Sequence, residues 1–333
     1  MGGSRADNGR AGCETREAVV RIAAREGCAE GCSDGRNDWI SRCCACTTRL
    51  LVLRAVMAPL LALAHLIIDT PGIILLAALA PPTAYALLLL FLDHRERKPW
   101  PLPLAAFLWG AMIASVGSST LNTNTSVWLT QLLAEERART LAPLIAAPII
   151  EEVAKVMGLL FLVGLSRHAC RNPRNGIVYG ALVGLGFDVA ENLNYFTLAA
   201  VQGGTIGLAR SLYLRGVLGG LKHAVFTATA GAGLGYGRAT QSSTARVVVP
   251  LFGLTGAVAQ HIAWNAVASR AITVALCGAV IPDGPCRYAP APADLFFNVP
   301  LIVALFVGPG VVALLIIARR STARSTLTVE QLD

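Results

Sequence analysis

Four apolar stretches of the sequence hold residues able to hydrolyse a bond. "APLIAAPIIEEVAKVMGLLFLVGL" (142–165) carries Glu151, Glu152 and Lys155 in its middle. "GFDVAENLNYF" (186–196) carries Asp188, Glu191, Asn192 and Asn194. "GGLKHAVFTATAG" (219–231) carries Lys222 and His223, and "AVAQHIAWNAVA" (257–268) carries Gln260, His261 and Asn265. Carboxylates, imidazoles and amides, with no Ser or Cys nucleophile beside a base, point to attack by water. A buried carboxylate can take the proton of that water, and His and Asn can donate hydrogen bonds to a developing oxyanion. Two imidazoles and a carboxylate could instead hold Zn²⁺ with one position left for water. The zinc-protease signature HExxH is missing, and the residue types alone leave the two mechanisms open.

These residues need elements to position them, and composition says which. The chain has 333 residues, 54% hydrophobic and 14% charged, with a mean hydropathy of +0.58. Soluble domains carry about 25% charge, so an all-α, polytopic membrane bundle is expected. A transmembrane helix needs about 20 apolar residues. Eight runs qualify, near 50–69, 72–92, 101–118, 141–165, 176–198, 216–237, 247–269 and 296–318. The first is interrupted by Arg54 and His65, and "APPTA" (80–84) should kink the second. The net charge of +8 is no nucleic-acid signal, because the basic residues cluster in short loops: "DHRERK", "SRHACRNPRN", "GRATQSSTAR" and "ARRSTARS". With eight helices these loops share one side, the positive-inside pattern, so both termini are expected in the cytoplasm of a multi-pass cell-membrane protein.

An ionisable residue at a membrane helix centre costs roughly 2.5–3.5 kcal/mol and is a functional hypothesis by default. Residues four apart share a helix face, so Glu151 should align with Lys155 as an ion pair. Phe187, Glu191 and Tyr195 form a second stripe, and His261 with Asn265 a third. Glu152 points about 100° away from Glu151. Counted from the helix ends, Glu151 lies roughly 15 Å deep, and the other groups fall in the same outer half of the bilayer, as one layer. Asp188 has no assignable role, Lys222 is expected to snorkel to the outer surface, and Asn192, Asn194 and Gln260 read as interhelical hydrogen-bond partners. Gly180-xxx-Gly184 and Gly231-xxx-Gly235 should let helices approach closely.

Residues 1–48 differ from the rest, being polar and rich in Arg, Gly and Cys. They read as a disordered extension, or as sequence upstream of a true start such as Met57. A zinc-binding tail using Cys28 and Cys32 is the competing reading. Residues 49–320 form the membrane domain and 321–333 a short cytoplasmic tail. Cys277 and Cys286 share an outer loop where a disulfide is permitted. "TNTSVWLTQLLAEERA" (123–138) is amphipathic enough for an interfacial helix or a plain connector.

"EEVAK" (151–155), "FDVAENLNY" (187–195), His223 and "HIAWN" (261–265) resemble, in order, the four motifs of the PrsW intramembrane protease family: EExxK, FxxxENxxY, His, and HxxWD/N. The likeness covers roughly residues 72–318. The family is similar, more distantly, to the type II CAAX prenyl endopeptidases and bacteriocin-processing membrane proteases. Lys155 and Glu191 replace the Arg and His of the prenyl endopeptidase motifs. The resemblance implies an intramembrane endopeptidase that cuts a membrane-anchored anti-sigma factor at site one, on the extracytoplasmic side. It implies Glu151 as water-activating base, with Glu152 as its neighbour and Lys155 orienting it. Glu191 takes the second-motif role, and His223, His261 and Asn265 polarise the carbonyl. No cofactor is favoured; the alternative is Zn²⁺ on His223, His261 and Glu191. The implied partners are the bilayer and a membrane-anchored protein substrate, not nucleic acid. A proton- or cation-coupled transporter and a non-catalytic binding protein are the rival readings.

Overall fold

The computed structural model describes residues 71–93, 98–277 and 291–330, all within one compact unit, Leu63–Asp333. The expectations for residues 1–48, for the run at 50–69 and for a Cys277–Cys286 disulfide fall outside the described residues. Among the described residues every regular element is helical, in keeping with an all-α membrane bundle.

The order is α1 (Gly72–Leu92), α2 (Pro101–Leu132), α3 (Glu135–Leu141), α4 (Ala147–Leu165), α5 (Pro173–Ser211), α6 (Lys222–Ala239), α7 (Ser243–Ala263), α8 (Ser269–Cys277) and α9 (Val299–Glu330). Wider π turns at Trp109–Ala114, Ala142–Ala146, Leu212–Leu218, Trp264–Ala268 and Asp294–Asn298 interrupt or join them. Asn172 caps α5 by accepting from the Asn175 amide at 2.8 Å, with Pro173 in the first turn. Ser242 caps α7 in the same way, through the Ala245 amide at 3.2 Å.

Pro81 and Pro82 lie inside α1 without ending it. Neighbouring helices can re-satisfy carbonyls that proline frees. The stretch at 123–138 divides: its first part extends α2 to Leu132, and its last residues lie in the separate helix α3. The connection between the runs at 176–198 and 216–237 is helical, and the chain turns at Gly204, whose φ of 59° suits a residue without a Cβ.

Among the described residues, four stretches are long and apolar enough to cross a membrane: Gly72–Leu92, Pro101–Leu132, Ser243–Val274 and Asp294–Ser321. Their outward faces expose large apolar side chains, Phe91, Met112, Phe252 and Leu305 among them. The charged residues Glu152 and Lys155 of α4, Asp188 of α5 and Lys222 of α6 sit on faces turned into the protein. Asn175–Ala190 of α5 is buried without a break, and α6 is buried along most of its length. Burial of those faces in protein rather than lipid explains why α4, α5 and α6 can carry charges that a lipid-facing surface would not.

Small residues make this packing tight. A Cβ at Gly180 would stand 2.5 Å from the Thr227 carbonyl oxygen, and Gly184 lies directly against the carbonyl of His223. The α5–α6 contact thus brings Asp188 and Glu191 beside Lys222 and His223. Trp109 of α2 donates from Nε1 to the Ala154 carbonyl at 3.0 Å and stacks on Phe161, with ring centroids 5.0 Å apart, which fixes α2 against α4.

Candidate active site

The polar residues of α4, α5, α6 and α7 meet in one continuous cluster. Lys155 is its hub and is fully buried. Its ammonium lies 2.8 Å from Glu152 Oε1, 2.9 Å from His223 Nδ1 and 3.9 Å from Glu151 Oε2. It also sits 3.9 Å from the centroid of the Phe187 ring, a cation–π contact. The expected Glu151–Lys155 pair is therefore the looser of two. Glu152, three residues from Lys155 and equally buried, takes the close contact.

Glu152 is saturated. Oε1 also accepts from His261 Nδ1 at 3.0 Å, and Oε2 accepts from Thr227 Oγ1 at 3.2 Å. Because the carboxylate can only accept, Nδ1 of His261 carries the hydrogen. That turns Nε2 of His261 toward Glu151 Oε2, 3.9 Å away. The arrangement is the carboxylate–histidine pairing that fixes a ring's tautomer and direction.

The ammonium of Lys155 can only donate, so Nδ1 of His223 accepts and its Nε2 donates to Glu191 Oε2 at 3.1 Å. Both nitrogens of His223 are engaged, leaving none in this arrangement for the carbonyl-polarising role expected of it. Glu191 also pairs with Arg215 Nη2 at 2.7 Å and with Lys222 at 3.3 Å. Lys222 does not snorkel: it is buried at 3% exposure, with Asp188 Oδ1 at 2.7 Å. Two nearby carboxylates hold it more strongly than a distant aqueous surface, and the pair gives Asp188 its partner.

Asn265 stands apart from the cluster. The π turn Trp264–Ala268 follows His261, and Asn265 Nδ2 donates to the Pro143 carbonyl at 3.1 Å. Gln260 bonds Thr229 across the α6–α7 contact at 3.2 Å, the interhelical role expected of it. Asn194 bonds only its own helix, and Asn192 is buried with both amide atoms unpartnered.

Sequence reasoning missed three contributors. Asn122 of α2 donates from Nδ2 to Glu151 Oε1 at 3.1 Å. Arg215, in the turn after α5, lies 3.5 Å over the Tyr195 ring besides pairing with Glu191. Thr227 lies one helical turn beyond His223. A signal existed for each: an amide in a polar run continuing a membrane span, an arginine within "SLYLRGVL", and a hydroxyl four residues from a histidine.

Donor atoms of Glu151, His223 and His261 lie within 4.8 Å of one another, as do those of Asp188, Glu191 and His223. By spacing the first set fits a metal ion. The expected set of His223, His261 and Glu191 does not form, because Glu191 turns to Arg215, Lys222 and His223 while Glu151 faces His261. In the second set the position of a cation is already taken by the ammonium of Lys222.

The described residues form a helical bundle with spans long and apolar enough to cross a membrane, and carboxylates, imidazoles and a lysine gathered in its core. A sequence model described as PrsW family intramembrane metalloprotease matches residues 98–319, more than half of the chain and all four motifs. The chain belongs to this family, and is a multi-pass membrane peptidase. No curated protein and no solved structure matches it.

Proposed function

We propose that the protein is an intramembrane endopeptidase in which Glu151 activates water against a peptide bond of a membrane-anchored protein. The observation that carries this reading is the state of Glu151. Its Oε2 is buried without a hydrogen-bond partner, 3.9 Å from both His261 Nε2 and Lys155 Nζ. A buried polar atom without a partner is costly, and this one lies between two groups that can steer a reaction. Water beside Oε2 gives its proton to Glu151 as its oxygen bonds the carbonyl carbon and the carbonyl electrons move to oxygen. His261, held through Nδ1 by Glu152, faces that oxyanion with Nε2 and donates to it when Nε2 also carries a proton. Collapse breaks the C–N bond, and Glu151 passes its proton to the departing amine. His223, Glu191 and Lys155 orient these groups.

The metal reading is favoured by one observation, the Glu151–His223–His261 donor spacing. Those residues would hold the ion, which would polarise the carbonyl and acidify bound water. His223 would first have to release Lys155 or Glu191, which is why the glutamate–water route is preferred.

The family motifs support an anti-sigma factor as substrate, cut at site one. The basic loops support eight spans in the cell membrane, cytoplasmic termini and a site in the outer half of the bilayer. The test is cleavage of a panel of single-pass substrates by the full chain in detergent, wild type beside Glu151→Gln, each with and without a zinc chelator. Loss in the mutant with activity kept in chelator supports the glutamate route. Chelator-sensitive activity restored by Zn²⁺ supports the metal. Activity indifferent to Glu151→Gln overturns the assigned site. Ion flux in liposomes without cleavage supports a transporter, and substrate capture surviving Glu151→Gln without cleavage supports a binding protein.

A further inference from the structure

The outer part of α2 reads "SVGSSTLNTNTS" (115–126), unusually polar for a stretch within an apolar span. Ser115, Ser118 and Asn122 recur at helical spacing on one face, and Ser115 and Ser118 are buried at 8% and 1% exposure. The serines spend their hydroxyls on their own helix: Ser115 donates to the Ala111 carbonyl at 2.7 Å, and Ser118 to that of Ser115 at 3.1 Å. Thr120 and Thr123 do likewise. Asn122 instead reaches across to α4 and meets the side chain of Glu151.

The chemistry of that contact fixes which way the amide faces. A carboxylate accepts, so the NH₂ of Asn122 must point at Glu151 Oε1. Its Oδ1 then points elsewhere, and it is buried without a partner. The other oxygen of the same carboxylate, Oε2, is also buried without a partner. One side-chain pair thus offers two unsatisfied acceptors beside a site that needs water. A water molecule has two protons to donate. Handing one to Glu151 Oε2 and the other to Asn122 Oδ1 would satisfy both atoms and aim its lone pair away from them.

We propose that Asn122 is a positioning residue of the hydrolytic site: it holds the Glu151 carboxylate through Nδ2 and orients the attacking water through Oδ1. The inference rests on the glutamate–water reading above and adds α2 to the helices that build the site. Asn122 lies outside all four motifs that carried the resemblance. Its own contribution is alignment, which acts on the bound substrate.

The test uses the full chain in detergent and a substrate that the wild type cleaves. Asn122→Leu keeps the branched shape and removes both polar atoms. It is expected to lower kcat about 10- to 100-fold with KM unchanged, an alignment loss of the order that misplacement of a reacting group produces. The decisive comparison is a double-mutant cycle with Glu151→Asp, whose carboxylate is one methylene short of Asn122. Adding Asn122→Leu to Glu151→Asp should cost less than threefold more, because the shared contact is already gone. An equal fold-loss in both backgrounds means a packing role and overturns the proposal. If Asn122→Leu does not fold, Asn122→Ser takes its place in the cycle. Infrared difference spectra of wild type minus Glu151→Gln give a readout that needs no substrate: the Glu151 carboxylate band should shift when Asn122 is replaced, and an unmoved band overturns the contact. Glu151→Gln with full activity would sink the glutamate reading itself. Glu151→Gln inactive beside Asn122→Leu at wild-type kcat would sink this inference alone.

Discussion

Glu151 and Glu191 stand on neighbouring helices of one polar cluster, yet their surroundings differ in kind. Glu191 is gripped from three sides, by Arg215 at 2.7 Å, His223 at 3.1 Å and Lys222 at 3.3 Å. Lys222 is held in turn by Asp188, and Arg215 rests on Tyr195. Glu151 has one close partner, Asn122, and its second oxygen has none. A carboxylate spent on several cations is poorly placed to receive a proton, because every partner stabilises its charge. On the mechanism proposed above, the underpaired carboxylate is the one that reacts. Under that proposal the cluster separates into a reactive half around Glu151 and His261 and a scaffold half around Asp188, Glu191, Lys222 and Arg215.

The sharpest way to break this comparison is to remove one charge from each half without changing shape. Glu151→Gln is expected to lower kcat about 10²- to 10⁴-fold, the range for a lost general base, while the melting temperature in detergent stays near wild type. Lys222→Met should do the reverse, because it leaves Asp188 buried with no cation. The expected cost is about 3–5 kcal/mol of stability, read as a lower melting temperature or loss of folded protein. Asp188→Asn combined with Lys222→Met should recover much of that loss, since no buried charge is then stranded. If the double variant is as unstable as the single one, the scaffold half is not held by this pair. If Lys222→Met is stable but inactive, the division into halves fails.

Much of the cluster's membership was legible because charged residues in apolar runs stand out. Glu151, Glu152, Lys155, Glu191, His223 and His261 all converge, carried on helices that the apolar periods located. Partner choice was not legible. Spacing alone aligned Lys155 with Glu151, but the preference for Glu152 depends on His223 and Thr227 of another helix. Lys222 read as a snorkelling side chain because Asp188, 34 positions earlier, could not be known to face it. Asn265 shares a helical face with His261 only if the helix is regular, and the π turn from Trp264 changes the register. Asn122 was hidden because the apolar run ends before it while the helix continues to Leu132. The run at 50–69 and the Cys277–Cys286 pair lie outside the described residues.

A middle-sized effect tests the support behind His261. Thr227 donates to Glu152 Oε2 at 3.2 Å and is fully buried. Thr227→Val keeps the shape and removes the donor, leaving a buried carboxylate oxygen short of one hydrogen bond. The expected cost is about 1.5–3 kcal/mol of stability, the range for hydrogen bonds to charged groups. Activity of the folded protein should fall as well, because Glu152 directs His261. A stability loss at unchanged kcat would mean that Lys155 alone keeps Glu152 directed at His261.

The smallest effect lies at the outermost contact of the scaffold half. Tyr195 lies under the guanidinium of Arg215 at 3.5 Å, and its side chain is 45% exposed. Cation–π contacts contribute about 0.5–1 kcal/mol at exposed sites and about 2 kcal/mol when desolvated. Tyr195→Phe keeps the ring and should leave both stability and kcat near wild type. Tyr195→Leu removes the ring, with an expected stability loss of about 1 kcal/mol and a drop in kcat of less than tenfold. The two substitutions separate the ring from the hydroxyl. A large loss of kcat in Tyr195→Phe would mean that the phenol hydroxyl touches the substrate, which would move Tyr195 out of the scaffold half and into the reactive one.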